Sequence, residues 1–184
     1  MQITDGIALL ELTTGWGSSI YPTLLWEDHK AILIDTGYPG QLHNICQEMA
    51  YVGVQFSNLS KVILTHQDVD HTGGLPDLLR SVAHNIQVLA YEVEKPYIEG
   101  CKPLIKAHNS DRVYVFDSLP EQQRVITENL IKNPPIITVD RALVDGDFLP
   151  DCGGITVIAM PGHTPGHIMV YLNRHKILIP GDGL

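Results

Sequence analysis

Four side chains that can bind a metal ion lie within six consecutive positions of the sequence. His66, Asp68, Asp70 and His71 directly follow the apolar, β-branched run Lys61–Thr65. Imidazole nitrogens and carboxylate oxygens are ligands of divalent cations, and extended spacing would point alternate side chains to the same side of the chain. A polar loop that merely caps the next helix is the alternative. We interpret the segment as a metal-binding loop.

Two later segments offer further ligands. His163 lies in the string Met160–His167, whose prolines and glycines predict a rigid loop, and Asp182 lies in the turn Pro180–Gly183. Either segment alone is typical of an ordinary loop or turn. Because each follows a predicted strand, as the metal-binding loop does, we expect all three segments to converge in one pocket at a sheet edge.

Regular elements are predicted on both sides of these loops. The predicted strands are Gly6–Leu12, Ile20–Glu27, Ala31–Asp35, Lys61–Thr65, Ile86–Ala90, Ile155–Met160, Ile168–Leu172 and Ile177–Pro180. The predicted helices are Gln41–Val52, Leu75–Val82 and Glu121–Lys132. Strand pairs interleaved with helices predict a mixed sheet with helices packed on it, in a single α/β domain of 184 residues.

The stretch between the two regular halves breaks this pattern. From Tyr91 to Asp140 the sequence is irregular and is interrupted by five prolines. A long polar insertion in a compact domain is more often functional than decorative. We therefore predict that residues 91–140 form a cap beside the metal pocket and that this cap influences the choice of substrate.

The composition limits the classes of partner. The 21 acidic residues exceed the 12 basic ones, and the net charge of −9 disfavours binding to nucleic acid or to anionic membranes. The sequence lacks a signal-peptide pattern and an apolar stretch long enough to span a bilayer. Three widely spaced cysteines, Cys46, Cys101 and Cys152, predict free thiols. We expect a cytoplasmic protein that acts on a small molecule.

The order of the motifs resembles that of the metallo-β-lactamase superfamily. Asp35-Thr36-Gly37 ends one predicted strand, and the strings HxDxDH, PGHTPGH and GD follow later ones. The resemblance covers nearly the whole chain and implies an αββα sandwich with its metal site at one edge. It also implies two divalent metal ions, with zinc expected first and manganese or iron as alternatives.

The resemblance assigns the ligands to two metal positions. His66 and His163 resemble ligands of the first metal, whereas Asp70 and His71 resemble ligands of the second. Asp182 resembles the carboxylate that bridges the two ions. Asp70 is also assigned a catalytic role.

Two other residues of the motifs are not expected to bind metal. Asp35 resembles the buried carboxylate that steadies the metal-binding loop. His167 corresponds to no ligand of the family, and we expect it to begin the next strand.

Two features depart from the family pattern. Asp68 occupies a position where the family usually has histidine; its carboxylate can still bind metal, and oxygen donors favour harder ions such as Mn²⁺ or Fe²⁺ over zinc. The sequence also stops at Leu184, before the later strands and the last histidine ligand of the family. We therefore expect a truncated domain that binds one ion tightly at most and self-associates through an exposed sheet edge.

The expected function is metal-dependent hydrolysis of an ester, a thioester or a lactone through a metal-bound hydroxide, as in the glyoxalase II and lactonase branches of the family. Two alternatives remain. Flavodiiron proteins share the fold and carry a carboxylate at the position of Asp68, which would favour iron redox chemistry. The other alternative is a truncated form without activity.

Overall fold

The larger of two facing sheets contains seven strands. In the computed structural model, which describes residues 1–15, 17–105 and 121–183, these strands are β1 (Gln2–Thr4), β2 (Ile7–Leu9), β5 (Thr23–Glu27), β6 (Lys30–Ile34), β7 (Leu59–Leu64), β8 (Gln87–Tyr91) and β9 (Arg141–Leu143). Their spatial order is β1-β2-β5-β6-β7-β8-β9. The pairs from β1 to β6 are antiparallel, whereas those from β6 to β9 are parallel. Parallel neighbours require crossover connections, and two of these contain the helices α1 (Leu42–Tyr51) and α3 (Leu75–Ser81).

The smaller sheet contains four antiparallel strands that pair in chain order. These are β10 (Phe148–Leu149), β11 (Ile155–Ala159), β12 (Ile168–Leu172) and β13 (Ile177–Ile179). The remaining elements are the ribbon of β3 (Leu12–Thr13) and β4 (Ser19–Ile20), the helices α2 (Val69–Thr72), α4 (Lys95–Ile98) and α5 (Glu121–Lys132), and the 3₁₀ turns Phe56–Asn58 and Asp151–Gly153. Within the described ranges, no helix has the length and apolar character needed to cross a bilayer.

Alternating residues of the larger sheet supply two hydrophobic layers. One layer joins the two sheets and includes Ile32, Ile34, Ile63, Leu89, Ile155, Val157, Ile168 and Val170. The other joins the larger sheet to α1 and α3 and includes Leu33, Val62, Leu64, Val88, Ile45, Met49, Leu75 and Leu78. Because side chains alternate between the faces of a strand, both layers fix the register of the central parallel strands. The predicted α/β sandwich is confirmed, and its packing places the ends of β6 and β7 side by side.

The differences from the predicted elements are local. Two predicted strands, Gly6–Leu12 and Ile20–Glu27, are each interrupted, so that β3 and β4 leave the larger sheet and pair with each other. The short elements α2, α4, β9 and β10 were not predicted. Each spans only two to four residues, which is too short for a recognisable hydrophobic period.

Candidate metal centre

The loops that follow β6 and β7 are tied together by backbone hydrogen bonds. Thr36 donates to the His71 carbonyl from its backbone nitrogen at 2.7 Å and from its Oγ1 at 2.9 Å. Gly74 N donates to the Gly37 carbonyl at 2.8 Å. A Cβ atom on Gly74 would collide with the Thr36 carbonyl, so the glycine permits this approach. The two loops therefore form one platform at the edge of the larger sheet.

A second link joins this platform to the smaller sheet. Ile168 N, at the start of β12, donates to the Thr65 carbonyl at 3.1 Å. The loop from Met160 to His167 therefore lies against the end of β7. This contact brings His163 to the metal-binding loop.

Three of the predicted ligands form a first group. His66, Asp68 and His163 each offer one ligand atom, and these atoms lie within 4.8 Å of one another. Asp68 Oδ2 is 3.3 Å from His66 Nε2 and 3.1 Å from His163 Nε2. His66 is completely buried, so this group is open to solvent only on the side of the other two residues. The carboxylate at position 68 thus lies where it can act as a ligand.

A second group shares His66 and adds His71 and Asp182, again with ligand atoms within 4.8 Å of one another. Asp182 Oδ1 is 3.3 Å from His71 Nε2, and Asp182 Oδ2 is 3.4 Å from His163 Nε2. The carboxylate of Asp182 therefore lies between the two groups. This position fits the bridging role that the resemblance implies.

Asp70 lies at the margin of both groups. Its Oδ2 is 3.8 Å from His71 Nε2, and its side chain is one-third exposed. The expectation that His66, Asp68 and Asp70 share one side of an extended chain is wrong, because Asp70 and His71 lie on the one-turn helix α2. The helix, and not a strand, directs these two side chains.

Asp35 fixes the orientation of two imidazole rings. It is buried, its φ is 63°, and it accepts hydrogen bonds at 2.8 Å from Thr65 N, Thr65 Oγ1 and His71 Nδ1. Because Thr65 gives its only hydroxyl proton to the carboxylate, the His66 Nδ1 atom 3.0 Å away must donate to Thr65. In their neutral forms both rings then carry their proton on Nδ1, so that each Nε2 atom offers a lone pair to the centre.

The electrostatics of the centre favour a cation. Burial alone would raise the pKa of Asp35, but the neighbouring His71 lowers it. Hydrogen bonding to His71 lowers the pKa of Asp182; burial acts in the opposite direction, but the charges of His71, His66 and His163 lower this pKa further. Burial acts to lower the pKa of His71, but Asp35 and Asp182 together raise it well above its usual value. The carboxylates therefore remain charged, and they attract positive charge to His71 Nε2.

The donor set fits a divalent metal ion. The buried His66 Nε2 atom has no hydrogen-bond partner among the described residues, which is uncommon for a buried polar atom. Histidine Nε2 atoms and carboxylate oxygens surround it, and both types of atom are ligands of Zn²⁺, Mn²⁺ and Fe²⁺. A cation would satisfy these acceptors together.

Comparison with known proteins identifies the family. The family model of the metallo-β-lactamase superfamily matches residues 15–184. The chain belongs to this superfamily. It is 27% identical over 163 residues to the probable metallo-hydrolase YflN of Bacillus subtilis (strain 168), covering 86% of the chain and 57% of that protein. It is 29% identical over 165 residues to the hydroxyacylglutathione hydrolase GloC of Haemophilus influenzae, covering 88% of the chain and 65% of that protein.

Solved structures of the superfamily share the fold. The subclass B3 metallo-β-lactamase BJP-1 of Bradyrhizobium japonicum superposes with a TM-score of 0.66 at 25% identity, over 92% of this chain and 55% of the other. The chain thus spans between 55% and 65% of the length of these three proteins.

Two residues near the superfamily motifs were missed as functional candidates. His167 directly precedes β12, as expected, but it is also completely buried, and its Nε2 accepts a hydrogen bond from Asp182 N at 3.1 Å. Burial, with His66 and His163 nearby, lowers its pKa to about 4, so the ring stays neutral and can hold the turn of Asp182. The repeated PGH string was the only sequence signal for this role.

Tyr38 is the other missed residue. Burial, followed by the charges of Asp70, Asp68 and Asp182, raises the pKa of its hydroxyl. The phenol therefore remains protonated beside the centre. Its position directly after the DTG string gave no sign of this, because the contact depends on the platform formed by the two loops.

The described part of the predicted cap contacts the loop that carries His66 and Asp68. Ile105 N donates to Gln67 Oε1 at 2.9 Å, and Gln67 lies between two of the predicted ligands. Residues 106–120 lie outside the described ranges, so the cap as a whole stays a prediction. The three cysteines, Cys46, Cys101 and Cys152, are free thiols, as expected.

Proposed function

We propose that the chain is a metal-dependent hydrolase that acts on an ester, a thioester or a lactone. One observation carries the proposal. The imidazoles of His66, His71 and His163 and the carboxylates of Asp68 and Asp182 form two overlapping groups of ligand atoms, each within 4.8 Å. Such a pair of adjoining sites is the arrangement that two-metal hydrolases use.

Each group would hold one divalent ion. His66, Asp68 and His163 would bind the first ion. His71 and Asp182 of the second group would bind the second ion together with Asp70 at its margin, and Asp182 would be shared between the two ions. We propose zinc, or manganese or iron in view of the oxygen donor at position 68. When bound, two such ions activate a water molecule and polarise the carbonyl group of the substrate.

The protein's own residues prepare this chemistry. Asp35 and Thr65 hold protons at the Nδ1 atoms of His71 and His66, so that both Nε2 atoms can act as ligands. Asp70 lies at the exposed margin of the centre, where it also lines the neighbouring cavity and can contact a substrate.

A cavity beside the centre supports a substrate with an apolar part. It has a volume of about 500 Å³, which is within the usual range for small-molecule sites. Asp70, His71 and Asp182 line it on the side of the centre, and Leu9 and Ile179 contribute to its apolar wall. An apolar acyl group could lie there while its carbonyl group faces the ligands.

Metal analysis and activity assays test the proposal together. The purified chain would be loaded with Zn²⁺, Mn²⁺ or Fe²⁺ and assayed against an acylglutathione thioester, an aryl ester and an acyl lactone. We expect hydrolysis with at least one metal and its loss in His163→Ala. His43→Ala is the matched control, since His43 is exposed on α1, outside the centre. A metal-loaded chain that hydrolyses no substrate of the three classes contradicts the proposal.

Iron redox chemistry is the second candidate. It is favoured by Asp68, whose Oδ2 lies within 3.3 Å of both histidine Nε2 atoms of the first group and adds an oxygen donor there. Two irons per chain after purification, with visible absorbance and no hydrolytic activity, would favour this alternative.

A further inference from the structure

Glu94 is a completely buried carboxylate that is not among the proposed metal ligands. Its Oε2 accepts hydrogen bonds from Gln67 N at 2.9 Å and Gln67 Nε2 at 3.0 Å, and its Oε1 accepts one from Gly166 N at 2.8 Å. A buried charge is costly unless hydrogen bonds compensate it. Three N–H donors converge on this carboxylate, so the fold compensates its buried charge.

The partners of Glu94 lie in the two loops that carry the first ligand group. Gln67 stands between His66 and Asp68, and Gly166 stands three residues after His163. The loop of Gln67 follows β7 of the larger sheet, whereas the loop of Gly166 connects two strands of the smaller sheet. A single side chain therefore links the two halves of the sandwich beside the candidate centre.

The fold is shaped to admit this side chain. A Cβ atom on Gly166 would lie 2.8 Å from both Cγ and Oε1 of Glu94, so a larger residue at 166 would displace the carboxylate. On its other side Gln67 accepts the hydrogen bond from Ile105 N at 2.9 Å. Gln67 thus contacts two separate points of the predicted cap, Glu94 and Ile105.

We propose that Glu94 is a positioning residue that sets the distance between the His66–Asp68 pair and His163. The inference rests on the proposed function, because it assigns these residues to a metal ion. The two loops are far apart in sequence, and metal ligands must be placed within a few tenths of an ångström. Cross-links such as the Glu94 carboxylate must supply that accuracy.

Glu94→Gln is the main test. The amide keeps the shape of the side chain, but it removes the charge and turns one acceptor oxygen into a donor that faces an N–H group. Glu92→Gln is the matched control, because it makes the same chemical change at an exposed position of the same segment. Met49→Ala, on the buried face of α1, controls for a general loss of stability.

Two measurements read out the role of Glu94. The first is binding of Co²⁺, followed by its visible absorption, which reports the number and geometry of ligands. We expect Glu94→Gln to weaken the first Co²⁺ by about 10- to 100-fold and to change the spectrum, whereas both controls keep the wild-type spectrum. The second is hydrogen exchange at the Gln67 and Gly166 amides in metal-free protein. It should become faster in Glu94→Gln by more than a loss of global stability accounts for, as calibrated with Met49→Ala, and should be unchanged in Glu92→Gln.

The outcomes separate this inference from the proposed function. A Glu94→Gln protein with wild-type Co²⁺ affinity and spectrum overturns the positioning role. If the wild-type chain itself binds no Co²⁺, the proposed function fails. In that case hydrogen exchange still tests the link between the two loops, and unchanged exchange at the Gln67 and Gly166 amides of Glu94→Gln would overturn it. If Glu94→Gln does not fold, Glu94→Asp replaces it, because the shorter carboxylate keeps the charge but cannot reach both loops.

Discussion

Replacing Asp35 with asparagine is the sharpest test of how the candidate centre is organised. The change removes one negative charge from a buried carboxylate that accepts three hydrogen bonds, each at 2.8 Å. Asparagine tolerates the left-handed backbone that Asp35 adopts at φ 63° better than most residues. The substitution therefore changes the side-chain chemistry with little added strain in the backbone.

The structure sets the size of the effect. In Asp35→Asn the new amide nitrogen would replace the oxygen that faces His71 Nδ1. Because this nitrogen is a donor, it favours the tautomer of His71 that carries its proton on Nε2. Nε2 is the atom that would bind the metal ion. Loss of a hydrogen bond to a charged partner costs about 1.5–3 kcal/mol. For a chain of this size that corresponds to a fall in Tm of roughly 4–10 °C. Loss of a residue that orients a ligand weakens metal binding by about 10- to 100-fold.

Calorimetry and thermal unfolding measure both effects. Metal-free protein gives the change in Tm, and titration with Zn²⁺ gives the change in affinity. Asp28→Asn is the matched control, because Asp28 is exposed and also has a positive φ, 53°. An Asp35→Asn protein that matches the wild type in both Tm and zinc affinity would refute the tautomer argument.

Three further predictions concern protons, metal preference and association. Burial lowers the pKa of His71, but Asp35 and Asp182 raise it further, so that it lies well above its usual value. The proton of His71 therefore stabilises the metal-free fold, fully below pH 6.5. This stabilisation is lost as the pH rises through the pKa of His71 in the folded state. Metal binding at pH 7 should therefore release a proton, which calorimetry in buffers of different ionisation enthalpy detects; a signal independent of the buffer contradicts this. Asp68→His should raise the affinity for Zn²⁺ relative to Mn²⁺ in competition titrations, since it exchanges an oxygen donor for nitrogen; an unchanged ratio would show that Asp68 is not a ligand. We also propose that β13, an edge strand of the smaller sheet, mediates self-association; Leu178→Lys should reduce the association seen by sedimentation, and a wild-type monomer at high concentration excludes it.

Much of the fold was predictable because its longer elements have clear periods. The helix predicted at Glu121–Lys132 and the strand predicted at Ile168–Leu172 have the observed bounds. The candidate metal-binding loop was also recognisable, because its candidate ligands lie close together in sequence and directly after an apolar strand. Its one-turn helix was not, since four residues carry no helical period.

The links around the centre could not be predicted from the sequence. Glu94 lies in a segment that was interpreted only as part of a cap, and nothing in its neighbours indicates that it meets Gln67 and Gly166. Tyr38 meets the carboxylates only because glycines let two loops approach closely. Such contacts depend on three-dimensional packing, and single residues far apart in sequence leave no periodic signal.

The candidate centre lies where the two sheets meet, and this has a thermodynamic consequence. Its first ligand group draws His66 and Asp68 from the end of β7 and His163 from the loop between β11 and β12. The hydrogen bond from Ile168 to Thr65 and the three bonds of Glu94 already join these loops. A bound cation would add one more link between the same two loops, since both loops would supply its ligands. Metal affinity and the stability of the sandwich are therefore coupled, because any ligand that binds only the folded state stabilises it.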